Sequence, residues 1–287
     1  MKHVLLTCGL IFYTSAIVAA ENDSAEKYTL RYKLKQGDVL RYSVEHQASV
    51  RSTIDGTTQQ ATTRSDSLKA WRVIDVMPSG EIEFMNIVER LRMTNQLPDR
   101  AEMIYDSEKD ETPPPGFEDA AKAVGVPLSI VRMTPWGDVV KREVKHHQPA
   151  ADPDAPMATL LPEDPVAVGD TWDEPREVTV KLQDGNTKKI EARRHFKLKS
   201  VETGVAVIEA TYQVLSPVSE QIEAQLAQRL LHGEIRFDIE AGKVLSQKMD
   251  VDKRVLGFAG ATSSMHYVMR MEEKLVEKPT EVASKPE

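Results

Sequence analysis

The stretches Gln36–Leu40, QGDVL, and Val168–Trp172, VGDTW, decide how this chain is read. Each sets Gly-Asp before an apolar residue, and each opens a run in which apolar and polar residues alternate. After the first, Leu40, Tyr42 and Val44 recur at every second position, and Asp55-Gly56 follows. Period two marks a strand with one buried face, and Asp-Gly between two such runs is a hairpin signal.

Working outward, the two halves follow one order. "KAWRVIDV" (69–76) answers "RHFKLKSV" (194–201), and "EIEFMNIVE" (81–89) answers "VAVIEATYQV" (205–214). A helical segment comes next in each half, near 117–124 and near 219–232, and then "MTPWGDVVKREV" (133–144) answers "FDIEAGKVLSQKMDV" (237–251). Further turn signals stand at Pro78-Ser79-Gly80, Pro135–Asp138, Asp184-Gly185-Asn186, Glu202-Thr203-Gly204 and Ala241-Gly242. In the second helix Ile222, Leu226 and Leu230 form one stripe, and Gly233 reads as its C-terminal stop. In the first half the apolar set shifts from Ile82 and Phe84 to Ile87 and Leu91, which predicts a bulge near Met85 and Asn86.

The expected fold is mainly β. It consists of two tandem antiparallel curled sheets or half-barrels, each with one covering helix, either separate or fused into one sheet. The expected organisation is a signal peptide at 1–20, a first β-meander unit at 21–145, a Pro/Ala/Asp-rich linker at 146–165, a second unit at 166–275 and a disordered tail at 276–287. Internal duplication accounts for the repeated order.

Lys2, the apolar run Val4–Ala20 and the small residues Val18-Ala19-Ala20 make a cleaved export signal, so the chain is expected in the periplasm or outside the cell. Cys8 is the lone cysteine and falls inside that segment. The remainder therefore has no disulfide, no cysteine nucleophile and no thiolate metal site. The formal charge of −8 is spread over interspersed acids and bases. Without a basic patch, and with aromatics at only 6%, neither a nucleic-acid partner nor a stacking platform for sugars is expected.

Catalytic motifs are missing: no nucleophile elbow, Walker loop, dinucleotide fingerprint or His-Glu-x-x-His. No catalytic, cofactor-binding or metal residues are therefore assigned. His146-His147, beside Asp152 and Asp154, reads as solvated linker, because adjacent histidines on an extended chain point apart. Asp250 and Asp252 share one side of a strand whose other side carries Met249 and Val251, so they read as its wet face. With His266 they are the best candidates for a hydrolase with an unrecognised site. Ser263, Ser264 and His266 lie close in sequence but show no triad order. Arg193-Arg194-His195 reads as a strand edge or surface that could meet an anionic group. Met265, Met269 and Met271 share a strand face and read as core, with an adaptable groove as the alternative.

The pieces "YTLRYKLKQGDVLRY", "TNQLPDRAEMIYDSEKDETPPPGFEDAAKAVG" and "VDKRVLGFAGATSSMHYVMRM" resemble an uncharacterised family of secreted bacterial proteins, a domain of unknown function, over Tyr28 to about Leu275. The resemblance implies no activity and transfers no functional residues. In strand-and-helix order the chain is also similar to periplasmic lipoprotein carriers of the LolA/LolB type, which fold an incomplete barrel over helices and hold acyl chains.

Three functional readings follow. In the first, the chain is a non-enzymatic binding or carrier protein that holds a lipid or other apolar molecule, with Phe84, Ile87, Tyr212, Val214 and Met269 as candidate cavity lining. In the second, it is a structural or interaction module that pairs with an envelope protein through exposed strand edges. The third is the hydrolase. In each, no transmembrane segment remains after signal cleavage.

Overall fold

The structure is a computed structural model and describes residues 26–146 and 156–276. The expected export signal at 1–20, with Cys8, and His147, Asp152, Asp154 and the tail from 277 lie outside the described residues. In chain order the first half contains β1 (Lys27–Tyr28), β2 (Val39–Ile54), β3 (Thr57–Val76), β4 (Ile82–Gln96), β5 (Met103–Asp106), α1 (Glu118–Ala123), β6 (Pro127–Met133) and β7 (Val139–Val144). The second half contains β8 (Val166–Ala167), β9 (Thr171–Lys181), β10 (Thr187–Glu202), β11 (Val205–Val214), α2 (Glu220–Leu226), β12 (His232–Asp238), β13 (Lys243–Leu256) and β14 (Ser264–Val276).

The long strands form one 12-stranded sheet, ordered β7-β6-β4-β3-β2-β14-β13-β12-β11-β10-β9, with β5 paired to β4. Every ladder is antiparallel. The two meanders are thus fused into one sheet through β2 and β14, and the sheet is not closed into a barrel. β1 and β8 form a separate two-stranded pair.

The Gly-Asp stretches explain how each meander starts. Gly37 and Gly169 both take the left-handed backbone, φ 86° and 99°, which costs a residue without Cβ little. Gly37 N–H donates to Val73 O at 3.1 Å and Val73 N–H to Asp38 O at 2.9 Å. In the second half Gly169 N–H donates to Leu198 O at 2.8 Å and Leu198 N–H to Asp170 O at 3.0 Å. The aspartate side chains repeat the match: Lys35 N–H donates to Asp38 Oδ2 at 2.8 Å, and Ala167 N–H to Asp170 Oδ2 at 2.9 Å. A bulge then follows each anchor strand, between Val73 and Asp75 in one half and between Leu198 and Ser200 in the other.

A flat sheet of this order would hold β3 and β12 about 19 Å apart, at about 4.8 Å per strand step. Instead the Tyr32 ring lies 6.3 Å from that of Trp71 on β3 and 5.6 Å from that of Phe237 on β12. The sheet therefore curls around Tyr32. The Tyr32 hydroxyl donates to Thr159 O at 3.2 Å and accepts from Thr159 N–H at 3.1 Å. One apolar cluster unites both halves, including Tyr42, Trp71, Phe84, Val131, Phe196, Ile208, Ile235 and Phe237.

The described part of the expected linker, 156–165, is not a solvated spacer. Leu161 is a buried member of the main cluster, and Leu160 O accepts from Trp172 Nε1 at 2.9 Å. The Pro and Ala residues read as spacer only because their partners are remote in sequence. The second helix also departs from expectation. It ends at Leu226, passes through a single 3₁₀ turn at Ala227–Arg229 and gives way to β12 at His232. Gly233 is not a helix stop. It sits in β12 opposite Met249, and a Cβ there would lie 1.9 Å from Lys248 O. Close approach of two strand backbones, not a left-handed turn, requires this glycine.

Among the described residues only one helix covers the concave face. Ile222 and Leu226 of α2 pack with Val178, Val180, Ile190 and Ala192, which alternate with outward residues on β9 and β10. Phe117 and Ala123, at α1, are buried but belong to neither apolar cluster, and Phe117 meets Tyr105 of β5, ring centroids 6.0 Å apart.

Candidate functional site

A cavity of about 600 Å³ lies between the two halves of the curled sheet. Strand alternation places its lining. Tyr42 and His46 share the inner face of β2, Lys69 and Trp71 that of β3, and Met269, Met271 and Glu273 that of β14. Met249 and Gln247 of β13 pair with Met271 and Glu273. From the second half come Arg176 and Val178 of β9, Arg194 of β10 and Tyr212 of β11. Met157, Ala158 and Leu231 also line the cavity.

Charges are held inside this mostly apolar wall. Glu273 is only 5% exposed. Lys69 Nζ lies 2.9 Å from its Oε1, and Gln247 Nε2 donates to its Oε2 at 2.7 Å, so that group is balanced. Arg194 is different. Its guanidinium lies 5.0 Å over the Phe196 ring, and Nη1 is 3.1 Å from Glu174 Oε2 at angles outside hydrogen bonding. Arg176 bonds the same Glu174 carboxylate. Two guanidiniums thus share one carboxylate. Burial lowers the Arg194 pKa, and the Glu174 charge opposes that shift. Burial also lowers the His46 pKa and raises those of the Tyr32 and Tyr42 phenols.

The candidate lining residues separate. Tyr212 and Met269 stand on the cavity wall. Phe84 is fully buried and stacks on Trp71, centroids 4.3 Å apart, so it fills the core behind the wall. Ile87 faces the other side of the sheet: Phe84 and Asn86 share the core face, and Ile87 alternates away beside a register shift between Asn86 and Ile87. The bulge expected in β4 near Met85 and Asn86 is not there: the extra residue at this shift is Leu128 of β6, and β4 has its own extra residue at Glu89. Val214 shares the Tyr212 face but packs near α2 and borders a second cavity of about 340 Å³ with Val218, Leu226 and Leu230.

The polar candidates occupy the outer face. His266 Nε2 is 2.8 Å from Asp252 Oδ1, and Arg270 Nε donates to Asp250 Oδ1 at 2.7 Å. The Asp252 side chain is 75% exposed, so nothing there excludes water. The Ser263 hydroxyl is committed to its turn, donating to Gly260 O and accepting from Ala259 N–H. Arg193 and His195 both pair with Asp173 on the outer face, whereas Arg194 between them turns into the cavity. The surface reading therefore fails for Arg194 alone. Among the described residues no group of three His, Cys, Asp or Glu is placed to hold a metal ion. No helix among them is long and apolar enough to cross a membrane.

Sequence reasoning missed Arg176, Lys69, His46 and Trp71. Their signal was parity. Arg194 shares its strand face with Phe196 and Ile190, and a charged residue on an otherwise apolar face is the mark of a buried polar site.

No protein-family model matches the chain, and no curated protein matches it. Among solved structures the chain is similar to lipovitellin, in a structure concerned with lipid–protein interactions. The TM-score is 0.45 with 10% identity, over 88% of this chain and 27% of that one. The chain thus spans about a quarter of the lipovitellin chain, and a likeness at this score carries no argument about function.

Proposed function

We propose that this chain is a non-enzymatic binding protein that holds an apolar or amphipathic ligand in the cavity between its two halves. The cavity carries this reading. Its 600 Å³ falls within the about 300–1,000 Å³ of small-molecule sites. Its wall combines Trp71 with Met157, Met249, Met269 and Met271, and methionines adapt to irregular apolar shapes. Its place of work in this reading is the periplasm or outside the cell, supported by the signal-like sequence of residues 1–20. The two halves are copies of one unit, a reading supported by their matched Gly-Asp hydrogen bonds.

A second reading has its own observation. β7 is an edge of the large sheet, and Val139, Val140 and Val144 on it are exposed. An extended segment of an envelope protein would add to such an edge.

The test is native against denaturing mass spectrometry of the protein purified from its own host, with titration of the neutral fluorophore N-phenyl-1-naphthylamine. A stoichiometric apolar ligand, or saturable fluorophore binding that Trp71→Ala abolishes, is the expected result. Neither a ligand nor saturable binding sinks the cavity reading and leaves the β7 edge.

A further inference from the structure

The strongest uncommitted charge in the described residues is inside the cavity. Lys69 is matched by Glu273, Glu177 by Lys189 on the adjacent strand, and Arg229, which also lines the cavity, is already engaged. Arg194 and Arg176 share Glu174 and leave one positive charge over. The Arg194 side chain is 15% exposed, and its buried Nη1 makes no hydrogen bond among the described residues. A desolvated guanidinium with donors unmet is costly unless something accepts from it. Its planar fork matches a carboxylate.

Size fits one such occupant. A cavity of about 600 Å³ lies within the range of small-molecule sites, about 300–1,000 Å³, which suits one acyl chain with its head.

We infer that the occupant is a single-chain amphiphile with a carboxylate head, seated with the head on Arg194 and Arg176 and the chain over Trp71, Met249, Met269 and Met271. The inference rests on the binding reading above and adds the ligand class. One surplus charge fits a monoanion, and the aromatic and thioether wall fits the chain.

The test is displacement of bound N-phenyl-1-naphthylamine by palmitic acid, hexadecanol and hexadecylamine, which share a chain and differ in head. Palmitic acid is expected to bind at least about tenfold tighter than the alcohol, the measure of one charge-assisted hydrogen bond, and the amine weakest. Arg194→Gln is expected to remove that preference while the alcohol's affinity stays within about twofold. Glu174 keeps Arg176 in that variant. Should Arg194→Gln lose its near-UV circular dichroism, Arg176→Gln is read the same way. Equal affinity for acid and alcohol in the wild type, or a preference that survives both variants, overturns the head-group assignment and leaves the cavity reading standing. Failure of the fluorophore itself to bind overturns both.

Discussion

The two halves begin alike and end differently. Both anchor their first strand with the same hydrogen bonds from a left-handed glycine and an aspartate. Counting from those anchors, Trp71 stands where Phe196 does, Lys69 where Arg194 does, and His46 where Val178 does. The divergence is at the helix. α2 reaches the strand at the sheet edge, where Gln225 exchanges hydrogen bonds with Lys181 N–H and O at 3.0 and 2.8 Å, and it fills the inner face there. Among the described residues the inner face of the first half beyond Trp71 has no such cover, and it contributes polar groups to the cavity. Similar strands thus make a filled core or an open wall, depending on where the intervening helix packs.

The largest effect should come from exchanging one matched pair of strand residues. Gly233 lies opposite Ala210, and Ser129 opposite Asn86, each two residues before the pairs Ile208–Ile235 and Phe84–Val131. Gly233→Ser should cost at least about 4 kcal/mol in urea unfolding, because its Cβ meets Lys248 O. Ser129→Gly should cost under about 1 kcal/mol. Comparable losses would mean that the halves pack more alike than their backbones indicate.

Asp38→Ala and Asp170→Ala sharpen the shared part. Each removes one side-chain acceptor from a backbone N–H at the start of a meander, and each should cost about 1–2 kcal/mol. Loss at one site with silence at the other breaks the equivalence of the anchors.

The smallest effect is a pH dependence. Burial holds the His46 pKa below its ordinary 6.5. The unfolded chain then takes up the proton first on acidification. Stability is full above about pH 6.5 and falls as the pH drops from there toward the folded pKa. Water still screens the half-buried ring, so the loss should stay below about 1 kcal/mol. His46→Val, which copies Val178, should flatten this limb in unfolding curves between pH 7 and 5. An unchanged slope assigns the dependence to another group.

Much of this was legible residue by residue. Asp55-Gly56 does close a two-residue hairpin, with φ 48° and 79°, because few sequences tolerate two left-handed residues in succession. The match of "KAWRV" to "RHFKL" places Val73 and Leu198 at the same position, where both bond a Gly-Asp turn. Gly233 was misread because a glycine after an amphipathic stripe looks the same whether it ends a helix or lets two strands approach. Ile87 was misread because a bulge was expected before it, whereas β4 alternates without a break from Phe84 to Val88, and a slip of one residue decides which face a side chain takes. Tyr212 and Phe84 lie on similar faces of β11 and β4, yet one meets the cavity and the other Trp71.

By itself, the sequence determined the strands, their turns, the repeated order and which residues share a face, since alternation and turn chemistry act over a few bonds. Tertiary structure decided what each face meets. Whether an inward residue finds a ring, a helix or open space depends on strands up to seven ladders away in the sheet, and on how tightly the sheet curls around Tyr32. No local pattern encodes that distance, because the curl is set by packing between residues more than a hundred positions apart.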